Sequence, residues 1–363
     1  MTKTLIPWAN RVWNPVTGCT KVSQGCKHCY AEREWESRFT FNPRHIAFGR
    51  KFSDVQVHPL RLALPLTWKK PAKIFVNSMS DLFHESVSFE FIAAVFGVMA
   101  LAPQHVFQVL TKRPERMEQF FAWARHEGRR FGPADLCIMK LLSSPFGNKP
   151  DALPRHIEPI VRSQEAMSAI SWPLPNVWLG VSIEDQQTAD QRIPSLQRVP
   201  AAVRWVSAEP LLGPVDMSYW FDLYQYEEGD AWHPRNLSRP SISPDWIVVG
   251  GESGPNARPM HPDWARVLRD QCTAASVAFN FKQWGEFIVP EDGAEACRVC
   301  GCTWNNACDN SCYWAEPSLC SNCTGKEVPD GDRPVKYRRV GKRHTGRLLD
   351  GQLWDQYPME VPV

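Results

Sequence analysis

No stretch of the 363-residue chain approaches the ~20 consecutive apolar residues that a membrane helix needs. The longest candidate, residues 91–101, reads instead as a buried helix. The opening residues, Met1 to Trp8, hold no apolar run of signal-peptide length. These absences lead to the expectation of a cytoplasmic protein with no membrane partner. Charge of one sign is lacking too. Lys and Arg number 41 against 39 Asp and Glu, for a net charge of +2, so any contact with nucleic acid must come from a local patch. No solenoid-type repeat is present.

Thiols stay reduced in the cytoplasm, so the twelve cysteines need a role other than disulfides. Ten fall in two clusters, which points to metal. Cys137 and Cys272 stand apart and read as small buried apolar residues.

Hydrophobic residues make up 43% of the chain, enough for a sizeable core in one large α/β barrel or two modest domains. Short β-rich runs recur at residues 73–77, 105–110, 177–181, 203–206, 246–249 and 277–281, with another near Arg11 to Val16. Helical spacing lies between several of them. Ser88 is placed to cap a helix around Phe91 to Leu101. Pro114 suits a first turn, followed by Met117, Phe120, Phe121 and Ala124 on one face. Pro262 opens another helix, with Trp264, Val267, Leu268 and Gln271 expected on one face. The alternation predicts a parallel α/β sheet, and about seven units suit a partial or full TIM-like (β/α) barrel. The barrel is assigned to residues 1–288, with insertions near 143–175 and 216–245. A Cys-rich insertion is assigned to 289–335, and a basic segment, 336–363, completes the barrel domain.

The first cluster reads Trp13-Asn-Pro-Val-Thr-Gly-Cys19-Thr-Lys-Val-Ser-Gln-Gly-Cys26-Lys-His-Cys29-Tyr-Ala-Glu32. Soft thiolates select iron–sulfur clusters, zinc or Cu(I). A closed zinc site normally has four ligands, and His28 is wedged between two cysteines, where it would struggle to reach the same metal. Three cysteines without an obvious fourth suggest a [4Fe–4S] cluster with one open iron. That iron could chelate the methionine end of S-adenosylmethionine (SAM) for reductive cleavage to a 5′-deoxyadenosyl radical. A zinc-stabilised loop is the plainer alternative.

The pattern Cys-x6-Cys-x2-Cys-Tyr-Ala-Glu resembles a phage and bacterial family of radical-SAM-like proteins. The resemblance continues in Asn77-Ser-Met-Ser-Asp81, Leu110-Thr-Lys-Arg-Pro114, Gly180-Val-Ser-Ile-Glu184, Ser207-Ala-Glu-Pro210, Gly250-Gly-Glu252, Phe281-Lys-Gln-Trp-Gly285 and Gly346-Arg-Leu-Leu-Asp350. Two features depart from the common radical-SAM pattern. Six residues, not three, separate the first two cysteines, and Asn77-Ser-Met-Ser-Asp81 stands where a glycine-rich methionine-binding motif is usual. Within this family the sequence is similar to the phage radical SAM isomerases of thymidine hypermodification. That likeness implies DNA as substrate, conversion of Nα-glycinylthymidine to its Cα-linked isomer, and a reductant or flavodoxin-type electron donor. It also implies the host cytoplasm if the protein is phage-encoded.

Reactive groups of a parallel barrel project from the C-terminal ends of its strands. Ser78, Ser80 and Asp81 are candidates for the methionine amino group, and Ser182 and Glu184 for ribose hydroxyls. Lys112 and Arg113 are candidates for a carboxylate or phosphate. Glu209, Glu252 and Lys282 are candidates for substrate contact and, with Lys112, for catalysis. Barrel-mouth ion pairs and helix caps are the plain reading of each.

In the second cluster Cys297, Cys300, Cys320 and Cys323 form a Cys-x2-Cys…Cys-x2-Cys frame with nineteen residues between the pairs, a spacing that suits structural zinc. Cys302, Cys308 and Cys312 are left over, so an auxiliary iron–sulfur cluster competes. A basic run follows, with Lys336, Arg338, Arg339, Lys342, Arg343 and Arg347. It suits phosphates or a solvated face equally. The rival to the radical-SAM reading is a zinc-dependent nucleic-acid-binding protein without catalysis. A radical SAM enzyme acting on RNA or a peptide is a third reading.

Overall fold

A computed structural model describes residues 4, 6–144, 154–222, 243–288, 314–316, 319–321, 337–342 and 344–358. The expected β-rich runs form seven strands: β1 Arg11–Trp13, β2 Lys73–Val76, β3 Val106–Thr111, β4 Val177–Ile183, β5 Val203–Ala208, β6 Trp246–Gly250 and β7 Ala278–Gln283. They lie in one sheet in sequence order, and every pair is parallel. One row of the register runs Trp13, Val76, Val109, Leu179, Arg204. Val16–Thr17 does not continue β1. It pairs antiparallel with Gln56–Val57, because Asn14 and Pro15 turn the chain out of the sheet.

The sheet curls into a half-barrel. Phe75 on β2 and Trp205 on β5 are three strands apart, about 14 Å in a flat sheet at ~4.8 Å per strand. Their ring centroids are 6.5 Å apart. Trp8, Trp178, Trp205 and Trp246 fill the concave side with edge and tilted contacts of 5.3–6.1 Å. Strand residues two apart share a face, so this layer alternates with a second that packs under the helices. Ile74, Val76, Phe107, Val109, Leu179, Val181, Val206 and Ile247 belong to that second layer.

The helices are α1 Tyr30–Glu34, α2 Phe89–Ala100, α3 Pro114–Glu127, α4 Pro133–Leu142, α5 Gln186–Arg198 and α6 Pro262–Ala274. Ser88 caps α2 as its position implies, its hydroxyl accepting from Phe91 N at 3.3 Å. Met117, Phe120, Phe121 and Ala124 are buried on α3, and Phe120 lies 5.2 Å from Phe96 of α2. On α6 the buried face is Ala265, Leu268 and Cys272, whereas Val267 is 43% exposed. The expected face of Trp264, Val267, Leu268 and Gln271 is therefore corrected by about a quarter of a turn, which leaves Val267 outside. Cys137 and Cys272 have no exposed surface.

At the far edge of the sheet, residues 354–356 run beside β7. Phe281 N donates to Trp354 O at 2.9 Å, Gln356 N donates to Phe279 O at 3.1 Å, and Asn280 bridges Asp355 in antiparallel fashion. Of the presumed insertions, the described part of 154–175 holds short helices at Glu158–Arg162 and Gln164–Ser168. Trp220 and Phe221 are buried against the main core. Among the described residues no helix is long and apolar enough to cross a membrane.

Candidate functional site

The loop leaving β1 carries the three cysteines. Gly18 adopts φ +87°, and a Cβ there would lie 2.5 Å from Asp54 O, so only glycine fits. Gly18 N donates to Met79 O at 3.0 Å, which ties the loop to the segment after β2, and Cys19 N donates to Phe52 O at 2.9 Å, which ties it to the chain between α1 and β2. Cys26 ends a tight 3₁₀ turn, Gln24–Cys26. Cys29 is the N-cap of α1, and its sulfur faces the Ala31 and Glu32 N–H groups. Cys19 and Cys29 both pack against the apolar patch formed by Ala31, Trp35, Ala47 and Phe52. Burial pushes the Cys19 thiol up to about 11, helped by the Asp81 charge and opposed by Arg113. Burial also raises Cys29, against the helix N–H groups.

Polar side chains from the other strand ends meet this loop. Glu184, just after β4, has no exposed surface. It accepts from Ser23 Oγ at 2.9 Å, from Arg192 Nη1 of α5 at 3.1 Å, and from Lys112 Nζ. A Cβ on Gly25 would sit 2.3 Å from its Oε1, so the turn before Cys26 rests directly on this carboxylate. Lys112 Nζ also donates to Ser182 Oγ at 2.7 Å, and Ser182 Oγ donates to Glu209 O at 3.0 Å. Glu209 pairs with Lys282 at 2.8 Å, and the Lys282 ammonium stands 4.6 Å over the Trp8 ring. Glu252 is gripped by Arg258 through Nη2 at 2.6 Å and Nε at 2.8 Å. Burial alone would raise the Glu252 carboxyl, but Arg258 more than offsets this and holds it below the usual range. Arg258 Nη2 also reaches Gln24 O of the cysteine loop at 2.9 Å.

Asp81 is buried and accepts from Thr111 Oγ1, Lys112 N, Phe83 N and Arg113 Nη1. Ser80 Oγ donates to Val16 O at 2.8 Å, and Ser78 shares a hydrogen bond with Asn14 while its carbonyl accepts from Tyr30 Oη. These three hold backbone around the cysteine loop. The fold thus brings Cys19, Cys26, Cys29, Ser78, Ser80, Asp81, Lys112, Ser182, Glu184, Glu209, Glu252 and Lys282 to one end of the half-barrel. Arg192, Arg258 and Ser23 were missed: the carboxylate partner of Ser23 is 161 residues away, and Arg192 and Arg258 stand eight and six residues from theirs, spacings that no local pattern marks.

Among the described residues, no three His, Cys, Asp or Glu side chains stand together as a metal site. Cys297, Cys300 and Cys323 lie outside the described residues, and Cys320 is described by its backbone in the strand Leu319–Cys320. Of the basic run, Arg339 Nη2 donates to Gly254 O at 2.9 Å and Arg347 pairs with Asp355 at 3.0 Å. Lys342 stands within electrostatic reach of Lys282, Glu209, Glu286 and Arg33. Lys336 and Arg343 lie outside the described residues.

Residues 3–358 match the model of a family described as "Protein of unknown function (DUF5131)". No curated protein and no solved structure matches the chain.

Proposed function

The chain belongs to the DUF5131 family, and from its own residues we propose that it is a radical SAM enzyme. Cys19, Cys26 and Cys29 would hold a [4Fe–4S] cluster. The observation that supports this most is the donor set: three thiols on one loop beyond a parallel strand end, with N–H groups aimed at two of the sulfurs. Arg113 donates to Cys19, and the first turn of α1 faces Cys29. A hydrogen bond such as that from Arg113 suits a thiolate that carries iron. When bound, the cluster and SAM supply reductive cleavage of a sulfonium and a hydrogen-abstracting radical.

The protein's residues orient and enclose the reactants. Glu184 and Glu252, at 0% and 4% side-chain exposure, are committed to holding the cysteine loop. Glu209, Lys282 and Lys112 keep 15%, 20% and 20%. They therefore have surface left to touch a substrate, Lys282 and Lys112 as donors and Glu209 as an acceptor. Ser78, Ser80, Ser182 and Glu184 shape the SAM side of the mouth. The substrate favoured by the resemblance is a glycinylated thymidine in DNA, isomerised at the glycinyl carbon, and such a base would have to leave the stack to reach the half-barrel mouth. A second metal, zinc in the Cys297–Cys323 segment, belongs to the same reading.

Anaerobic purification with iron and sulfide analysis tests it. A brown protein whose visible absorbance and inorganic sulfide disappear in Cys26→Ala is expected. A colourless protein that holds only zinc overturns the proposal in favour of a nucleic-acid-binding module. Incubation with SAM, reductant and modified DNA, followed by mass spectrometry of the digested DNA, tests the substrate.

A further inference from the structure

The sequence marks Arg113, beside Lys112, as a candidate to hold an anion. The structure leaves it no free donor. A guanidinium has five N–H groups. Nε donates to Glu85 Oε1 at 3.1 Å. Nη1 donates to Asp81 Oδ2 at 3.4 Å and to Cys19 Sγ at 3.5 Å. Nη2 donates to Thr20 O at 3.0 Å and Thr20 Oγ1 at 2.9 Å. The side chain is 5% exposed. Its charge is answered by Asp81 from below and Glu85 from outside.

Thr20, the residue after Cys19, is held a third time. His84 Nδ1 accepts from Ser86 N at 3.1 Å, so in the neutral ring the proton sits on Nε2, which then donates to Thr20 Oγ1 at 2.9 Å. Burial and the Arg113 charge lower the His84 pKa, against the Glu85 and Asp81 charges. Two buried donors from the loops after β2 and β3 therefore converge on one hydroxyl. Arg113 adds a fork that spans the Thr20 carbonyl and the neighbouring sulfur. A fork of this shape is specific to arginine, because lysine offers a point charge without two fixed directions.

We propose that Arg113 is a positioning residue for Cys19: with His84 it fixes Thr20, the next residue, and it sets the reduction potential of a cluster held by the Cys19 sulfur. The first half stands on the hydrogen bonds alone. The second rests on the proposed radical-SAM function, since a charge-assisted N–H on a ligating sulfur stabilises the reduced, more negative cluster.

The test uses the full chain as wild type, Arg113→Gln and Thr20→Val, with two readouts. Amide hydrogen exchange on the metal-free protein addresses the clamp. The peptide covering residues 18–23 should exchange at least several-fold faster in Arg113→Gln, while residues 106–111 of β3 keep wild-type protection. Equal exchange at 18–23 overturns the clamp. Should Arg113→Gln lose protection throughout, Thr20→Val decides the same point, since it removes only the hydroxyl that both donors share. Potentiometric titration of the reconstituted protein addresses the tuning. Arg113→Gln should keep the wild-type iron and sulfide content and shift the midpoint to more negative potential. An unchanged midpoint overturns the tuning, because a purely structural role would leave it where it was. Wild-type protein that takes up no cluster defeats the functional reading and the tuning with it, and the exchange data still judge the clamp.

Discussion

Glu184 has no contact with water, and Ser23, Lys112 and Arg192 all turn towards it. A buried ion pair is expensive to assemble and more expensive to break, because the surviving partner stays buried without a counter-charge. In Glu184→Ala, Lys112 and Arg192 lose their shared carboxylate, and the Gln24–Cys26 turn loses the group it rests on. We expect a loss of about 3–5 kcal/mol, the range for breaking a buried pair, read as a lower urea midpoint at an unchanged slope. A loss below about 1 kcal/mol, the level of an exposed pair, would mean that the carboxylate does not brace the loop. The position of Glu184 was legible from the chain, as a charged residue just beyond a β-rich run. Its role was not. Ser23 is 161 residues away in sequence, and no local spacing pairs them. Arg258 and Gln24, 234 residues apart, were hidden for the same reason.

The strands announced themselves through Val, Ile and Phe runs, and α2 and α3 through a cap, a first-turn proline and an apolar stripe. The cysteine loop carries no such periodicity. Its 3₁₀ turn is held by the tertiary bonds of Ser23 to Glu184 and of Arg258 to Gln24, and the five-residue helix α1 by those of Tyr30 to Ser78 and Arg33 to Ser253, instead of by propensity. The sequence showed glycine before the first two cysteines without showing that each is a steric necessity. Gly18→Ala is therefore an element-scale test. It places a methyl against the Asp54 carbonyl at a positive φ, and strain of that kind costs of order 1–3 kcal/mol. The expected result is a lower thermal midpoint with loss of metal uptake. Wild-type iron content and stability would show that the loop tolerates another path. The misjudged face of α6 has a similar cause: Trp264, Val267 and Leu268 suit either of two overlapping stripes, and only the sheet beneath selects Ala265, Leu268 and Cys272.

Across the whole molecule, histidines lowered by burial, His45 among them, make stability depend on pH. Burial, with Arg61 and Arg50 nearby, lowers His58 to about 4. Burial also lowers His84 and His105. An unfolded histidine titrates near 6.5. Between that value and about 4, the unfolded chain binds more protons than the folded one, so stability falls as pH falls through this window. Below about 4, His58 is protonated in both states and its contribution stops changing. Urea midpoints should drop from pH 7 to pH 5, and His58→Gln should flatten part of the slope. An equal slope in that variant would remove His58 from the account. The half-barrel was legible in outline from seven strand–helix units. The layer that fills its concave side was not, because the tryptophans at 8, 178, 205 and 246 come together only once the strands are aligned.

Residues 354–356 lie along β7, where the half-barrel stops. An open rim of a parallel sheet offers unsatisfied amides and carbonyls to any passing strand, and a second molecule could zip onto it. Here Trp354 and Gln356 of the same chain satisfy part of that rim first. The protein thus keeps an unclosed sheet while shielding the very border that openness would leave sticky.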